Sequence, residues 1–120
     1  SEGGLISRYY LQKLMQGQDV EHLVTLATPY HGTVLGYIGP GTGADQMQPR
    51  STFLNDLNSP DHAPAGVKVT SVRAGMDEII IPHDSPILTG ADNELVEVCE
   101  HASIFVSSKA WGFTKAGLER

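Results

Sequence analysis

The chain has 120 residues, 40% of them hydrophobic, which is enough for one small domain with its own core. Its formal net charge is -6, from 14 acidic and 8 basic residues, and the basic residues form no cluster that would attract a phosphate backbone. Nucleic acid is therefore not expected as a partner. The sequence also contains no run near the ~20 apolar residues of a transmembrane segment. A neutral or apolar substrate suits this composition better.

The first five residues, S-E-G-G-L, lead straight into an amphipathic segment. Its spacing predicts a helix from Gly4 to about Gln16, stopped by Gly17, with Arg8 pointing to solvent. A serine followed by two glycines ahead of a helix matches a G-x-S-x-G nucleophile elbow without its first two residues. The bend of such an elbow needs small residues, because side chains two positions from the serine would collide. Ser1 is thus a candidate nucleophile at a helix N-terminus, and a simple N-cap is the alternative.

Residues 22–27, H-L-V-T-L-A, are β-branched and aliphatic and predict a buried parallel strand. Pro29 ends this strand because proline cannot donate to the hydrogen-bond ladder. The loop after it lies where ligand sites of open α/β sheets collect. In that loop we expect Tyr30 to face the substrate, and His31 to anchor the loop rather than to carry the chemistry.

Residues 34–43, V-L-G-Y-I-G-P-G-T-G, are rich in glycine and small apolar residues. The segment is not expected to bind phosphate, because no Lys-Ser or Lys-Thr pair follows the glycines. We expect a lid-like insertion whose Leu35, Tyr37 and Ile38 meet an apolar substrate. An ordinary surface loop is the alternative.

The rest of the chain predicts short helices, two strands and a covering helix. Hydrophobic spacing broken at Pro49 indicates one or two short helices within residues 46–57. Alternating, β-rich residues predict strands over residues 67–74 and 94–99. Residues 107–118 predict the last helix, whose large apolar side chains are expected to face the core: Trp111, Phe113 and Leu118.

Asp77 and His101 each follow one of these two strands, so a parallel sheet would deliver both side chains to its carboxyl edge. Asp84 and Asp92 are rival carboxylates, but they lie farther along the chain among turn residues. The order Ser1, Asp77, His101 is the nucleophile, acid, base order of α/β-hydrolases. A serine hydroxyl needs a histidine to take its proton, and the histidine needs a carboxylate to fix its tautomer.

Four segments in order resemble bacterial triacylglycerol lipases and esterases of the α/β-hydrolase superfamily. The first is similar to the elbow helix of that family and the second to its T-P-H-x-G-T segment, while the last two hold the acid and the histidine. The segments are residues 1–11, 24–33, 77–82 and 101–105. The resemblance implies an α/β fold with a mostly parallel sheet, flanking helices and a lid-like insertion, acting on an ester or lipid substrate through an acyl-serine.

By this resemblance Ser1 is the nucleophile, Asp77 the orienting acid, His101 the base and the backbone N–H of Glu2 an oxyanion donor. The chain departs from the family where Glu2 replaces Met or Gln, where Tyr30 stands in place of His, and where the elbow's strand and first glycine are absent. Residues 1–120 are therefore expected to be one domain that is the C-terminal part of a larger one. The N-terminal half would be its partner and would supply the second oxyanion donor.

The resemblance favours a secreted or periplasmic protein, and neither a cofactor nor a metal is expected. Nothing in the sequence fixes the oxygen ligands that calcium would need near Asp84 and Asp92. Cys99 lies among apolar residues beside a predicted strand, which indicates a buried structural thiol rather than a nucleophile.

Two other interpretations stay open. Ser1 could be an N-terminal nucleophile whose own α-amine is the base, although Asp77 and His101 would then be idle. The chain could also be a catalytically incomplete hydrolase or a binding module that keeps the scaffold without turnover.

Overall fold

The computed structural model describes residues 1–15 and 20–120. Helix α1 spans Glu2–Tyr9 and continues as a π-helical turn over Tyr10–Leu14. It thus begins two residues before the predicted Gly4. The predicted helix end at Gln16 and Gly17 lies outside the described residues.

Three parallel strands form the sheet, with β2 in the middle. The strands are His22–Leu26 (β1), Lys68–Ala74 (β2) and Asp92–Val96 (β3). Leu26 pairs with Val72, and Ala74 pairs with Val96, so all three strands end at one edge of the sheet. The prediction of an α/β domain with a parallel sheet and flanking helices is confirmed at this level.

The last strand begins and ends earlier than the predicted 94–99. Asp92 and Asn93 already pair with Thr70 and Ser71 of β2, while the strand stops at Val96. The polar start of β3 hid this pairing from the sequence pattern, which relied on apolar alternation.

Two hydrophobic clusters lie on opposite faces of the sheet, and β2 contributes to both because successive side chains point to opposite faces. The cluster on the α1 side consists of Leu5, Leu11, Tyr30, Leu54, Leu57, Ala63, Val67, Val69 and Leu88. The cluster on the other side consists of Ala27, Val72, Ala74, Val96, Cys99, Ile104 and Ala110. The domain is therefore a three-layer arrangement around a small sheet.

Helix α4, Ser108–Glu119, covers β1 and β2 with its small residues rather than its large ones. Ala110 and Gly117 are buried, and a Cβ at Gly117 would lie 2.7 Å from Thr70 Oγ1. Trp111 and Leu118 are 58% and 54% exposed, so the expectation that they face the core is wrong. The small face lets the helix approach the sheet closely and turns these two large side chains outward.

The connection from β1 to β2 contains three short helical elements, and the last of them confirms the short helix predicted within residues 46–57. These are a 3-10 helix over Val34–Tyr37, α2 over Gly41–Gln46 and α3 over Thr52–Leu57. Gly36 packs directly on α2, because a Cβ there would lie 2.8 Å from the carbonyl oxygen of Ala44. A second 3-10 helix, Ala102–Val106, connects β3 to α4. No helix in the described part of the chain has the length and apolar character needed to cross a membrane.

Candidate active site

Asp77 leaves the carboxyl end of β2 on a turn that passes very close to the neighbouring loop. Gly75 makes this possible, because any Cβ there would overlap the carbonyl oxygen of Glu97. The Asp77 side chain is buried, and its Oδ1 accepts hydrogen bonds from the backbone N–H groups of Ile79 at 2.8 Å and Ile80 at 2.7 Å. One carboxylate oxygen is thus fully held by main-chain donors.

His101 lies on the connection after β3, directly before the 3-10 helix Ala102–Val106, and contacts the second carboxylate oxygen. Its Nδ1 lies 2.9 Å from Asp77 Oδ2, and the imidazole is mostly buried. An ionised carboxylate can only accept, so Nδ1 carries the proton in this pair. Any exchange of a proton with a nucleophile or substrate must therefore use Nε2 of His101.

Ser1 lies at the same edge of the sheet, beside the end of β1. Its backbone nitrogen donates to the carbonyl oxygen of Leu26 at 2.8 Å, and α1 starts at the next residue. A cavity of about 280 Å³ opens here. Ser1 and Phe105 both line it, and Phe105 belongs to the 3-10 helix that follows His101. All three predicted triad residues thus lie at the carboxyl edge; Asp77 and His101 are in direct contact, whereas no hydrogen bond within the described residues joins Ser1 to His101.

Gly4, rather than Gly3, carries the steric constraint of this bend. A Cβ on Gly4 would overlap the side chain of Thr28, reaching 2.7 Å from its Cγ2. A Cβ on Gly3 would meet nothing within 4 Å among the residues described. The tight contact therefore joins α1 to the loop after β1, one position later than the elbow pattern predicts.

Two groups at this edge have shifted pKa values, and burial is the largest cause of each shift. Burial lowers the pKa of the Ser1 amino group, while the charges of Asp77 and Glu2 oppose that shift. Burial also raises the pKa of the Cys99 thiol, and Asp77 with two nearby glutamates adds to the effect. The charge of Asp77 thus affects the pKa of both the Ser1 amino group and the Cys99 thiol. The prediction that Cys99 is buried is confirmed.

Glu2 occupies the first turn of α1, where backbone N–H groups have no acceptor within the helix. Its N–H is thus positioned at a helix N-terminus, where partial positive charge collects. Its side chain extends to α2, since a Cβ on Gly43 would come 3.0 Å from Glu2 Oε1. The backbone N–H of Glu2 therefore lies at the N-terminus of α1, while its carboxylate lies beside α2.

The residues expected to meet substrate divide into two groups. Tyr37 and Ile38 are 62% and 80% exposed, and Leu35 is half-buried. Tyr30, in contrast, is completely buried in the core, with its hydroxyl 2.9 Å from Thr25 Oγ1. The expectation that Tyr30 faces substrate is corrected, because its ring fills the core and its hydroxyl is bonded there.

His31 anchors its loop, as its position predicted. Its Nδ1 lies 2.9 Å from the carbonyl oxygen of Ser85, and its Nε2 lies 2.9 Å from a carboxylate oxygen of Asp61. Both ring nitrogens are therefore engaged with other loops.

The sequence pattern missed the buried contacts of two residues. Arg8 was expected in solvent but is completely buried, where its guanidinium donates to Asn58 Oδ1 at 2.6 Å and to several backbone carbonyls. Thr33 was assigned no role, but its buried hydroxyl bonds to the loop that carries Asp77. Helical periodicity cannot reveal the first contact and local turn patterns cannot reveal the second, because both partners are distant in sequence.

Within residues 1–15 and 20–120, no three His, Cys, Asp or Glu side chains converge in a way that could hold a metal ion. Asp84 and Asp92 are accordingly not part of such a group. No model of a known protein family matches the chain, and no curated protein is significantly similar to it.

Proposed function

We propose that the chain is a serine hydrolase of the α/β-hydrolase type that cleaves carboxylic esters through an acyl-serine on Ser1. The observation that carries the proposal is the 2.9 Å contact between His101 Nδ1 and Asp77 Oδ2, formed at the carboxyl edge of a parallel sheet. Ser1 starts a helix at that same edge. This combination supplies a base, its orienting acid and a candidate nucleophile in one region.

In the proposed reaction, Ser1 Oγ attacks the ester carbonyl carbon and gives its proton to His101 Nε2. Asp77 stays ionised and stabilises the imidazolium, as its acceptor contacts favour. The oxygen of the tetrahedral intermediate accepts from the Glu2 N–H. His101 then returns the proton to the leaving alcohol, and water repeats the sequence to release the acid. Such proton transfer contributes roughly 100- to 10,000-fold in rate.

The side chains around the site favour an ester with an apolar acyl or alcohol group, such as a lipid. Tyr37 and Ile38 are exposed on the segment after Thr33, and Phe105 is half-exposed at the cavity that Ser1 lines. Exposed apolar residues beside a catalytic site are suited to hold an apolar substrate. The 3-10 helix Val34–Tyr37 and the residue after it would act as the lid-like insertion.

The other proposed partner is the N-terminal half of the same hydrolase domain. Strand β1 has a neighbour on one side only in the described sheet. Beside it lies a cavity of about 390 Å³ between α1 and β1, flanked by exposed Ile6 and Tyr10. An open strand edge next to an apolar groove is suited to pairing with a further strand and helix. That half would also supply the second oxyanion donor.

The test is reaction of the full-length protein with a fluorophosphonate, followed by intact mass and peptide mapping. We expect one adduct, on Ser1, and its loss in Ser1→Ala but not in Ser59→Ala, which changes an exposed serine bonded to Asn55. His101→Ala should abolish both labelling and ester hydrolysis, whereas His83→Ala, at an exposed histidine, should not. Unchanged ester hydrolysis in His101→Ala would overturn the proposal.

The second candidate function is a binding module, or an incomplete hydrolase, that keeps the scaffold without turnover. It is favoured by the open edge of β1 in the described sheet. It predicts that the full-length protein binds a lipid or ester without any covalent label at Ser1. Rapid labelling of Ser1 would eliminate this alternative.

A further inference from the structure

Thr33 is buried where three segments meet. Its hydroxyl donates to the carbonyl oxygen of Ile79 at 2.6 Å and accepts from the N–H of Ile81 at 3.1 Å. These two contacts bracket the loop residues whose N–H groups hold Asp77. The same oxygen also accepts from the N–H of Leu35 at 3.4 Å, as the N-cap of the 3-10 helix, so one hydroxyl joins the acid loop to the start of that helix.

The main chain around Thr33 is itself firmly held. The Thr33 N–H donates to the carbonyl oxygen of Met47 at 2.8 Å, and the next N–H, from Val34, donates to that of Ile81 at 2.9 Å. One residue earlier, the carbonyl oxygen of Gly32 accepts from the buried Ser85 hydroxyl at 2.6 Å. The hydroxyl of Thr33 is therefore presented from a fixed platform rather than from a free loop.

The acid depends on this loop for its orientation. Asp77 Oδ1 is held by the N–H groups of Ile79 and Ile80, which leaves Oδ2 to His101. If the main chain at 79–81 moved, Oδ1 would lose its donors and the carboxylate could rotate away from the imidazole. A displacement of about 1 Å in such an arrangement can cost ~100-fold in rate.

We propose that Thr33 is a positioning residue for Asp77, and that its hydroxyl fixes residues 79–81 so that Asp77 Oδ2 faces His101. The effect of Thr33 on the reaction rate rests on the proposed function, but its effect on the orientation of Asp77 does not. The same contact ties the segment that bears Tyr37 and Ile38 to the acid loop, since that segment begins at Thr33.

The structural test uses proton NMR of the full-length protein. A ring N–H bonded to a carboxylate gives a far-downfield resonance, which for His101 is assigned by its loss in His101→Ala. We expect Thr33→Val to broaden or remove this resonance, and Thr33→Ser to keep it. Thr70→Val is the matched control, because it removes another buried hydroxyl, one that accepts from Arg120 rather than from the acid loop. If Thr33→Val does not fold, the pair Thr33→Ser and Thr33→Ala isolates the hydroxyl in the same way.

The kinetic test is ester hydrolysis by the same variants. We expect Thr33→Val to lower kcat about 10- to 100-fold with KM close to that of the parent, and Thr33→Ser to restore most of kcat. An unchanged downfield resonance in the hydroxyl-free variants would overturn the role of Thr33, even if His101→Ala is inactive. The opposite outcome is also possible: Thr33→Val removes the resonance, but His101→Ala leaves ester hydrolysis unchanged. That result would support the role of Thr33 and overturn only the proposed function.

Discussion

Asp77 and His101 follow neighbouring parallel strands and share a hydrogen bond. This bond uses one oxygen of the Asp77 carboxylate, and the other oxygen has different partners. Oδ2 faces the imidazole at 2.9 Å, while Oδ1 is occupied by two backbone N–H groups. The carboxylate therefore cannot exchange its two oxygens without breaking main-chain contacts. This fixed orientation makes the effect of changing Asp77 predictable.

Asp77→Asn should lower kcat by roughly 10⁴-fold, the scale of such a change in a serine protease triad. With its carbonyl toward Ile79 and Ile80, the amide NH₂ would face His101 and force the proton onto Nε2, where it blocks the base. Ester hydrolysis and fluorophosphonate labelling rates measure the effect. Asp84→Asn, at an exposed carboxylate, is the control and should keep normal turnover. Normal turnover in Asp77→Asn would show that Asp77 is not the acid of the site.

Gly4→Ala should destabilise the protein by about 1–3 kcal/mol, because its Cβ would overlap the buried Thr28 side chain. Gly3→Ala is the matched control on the same turn of α1. It meets no atom within 4 Å in the described structure, so it should be neutral or stabilise by up to ~1 kcal/mol through helix propensity. Urea unfolding of both variants measures the difference. Equal effects would show that contact with Thr28 does not constrain the bend.

Arg8→Met should cost at least about 2 kcal/mol of unfolding free energy. Removing the guanidinium leaves Asn58 Oδ1 and the carbonyl oxygen of His62 without their donors, at ~1–3 kcal/mol for each group that stays dry, whereas the carbonyl oxygen of Leu57 keeps its bond from Gln12 Nε2. Lys13→Met is the control on the following turn, since its ion pair with Asp56 is solvent-exposed and worth under ~1 kcal/mol. Chemical denaturation gives both values. A loss no larger than that of Lys13→Met would contradict a clamping role for Arg8.

Tyr30 predicts a specific alkaline dependence of stability. Burial raises its pKa to about 12 in the folded protein, against 10.0 for a free tyrosine. Below pH 10 the phenol is protonated in both states and its contribution is intact. As pH rises from 10 to 12 the unfolded chain ionises first, so about 2–3 kcal/mol of stability is progressively lost, at 1.36 kcal/mol per unit.

The measurement is urea unfolding of the parent and of Tyr30→Phe across this pH range. The phenylalanine variant should lose stability less steeply, because it has no phenol to ionise at position 30. The difference between the two slopes isolates this residue from other titrating groups. Parallel slopes would show that the Tyr30 phenol is not protected from ionisation by the core.

The sequence predicts the regular elements of this fold well and its long-range polar contacts poorly. The β1 and β2 patterns are apolar and β-branched, and both strands lie within one residue of their predicted starts. The same patterns place Asp77 and His101 after strands, and parallel pairing of β2 with β3 then brings the two together. Short-range periodicity and strand order were sufficient for this part of the site.

The failures arise where tertiary packing overrides a local rule. Arg8 looks like a solvent residue on a helical wheel, but carbonyl groups from a distant loop surround it. Trp111 looks like a core residue, but the small residues Ala110 and Gly117 form the buried face of α4. Tyr30 follows a strand end, yet it turns back into the core. In each case the packing of the whole domain, rather than the local pattern, decides where the side chain lies.

The way Asp77 is held leaves one side chain of its loop free to vary and another fixed by packing. The two donors to Oδ1 are backbone groups, so any residue except proline can supply them at position 79. The Ile79 side chain is partly exposed, whereas Ile80 is buried in the core. Position 79 therefore tolerates any residue except proline while the acid keeps its hydrogen bonds, provided that Ile80 is left unchanged.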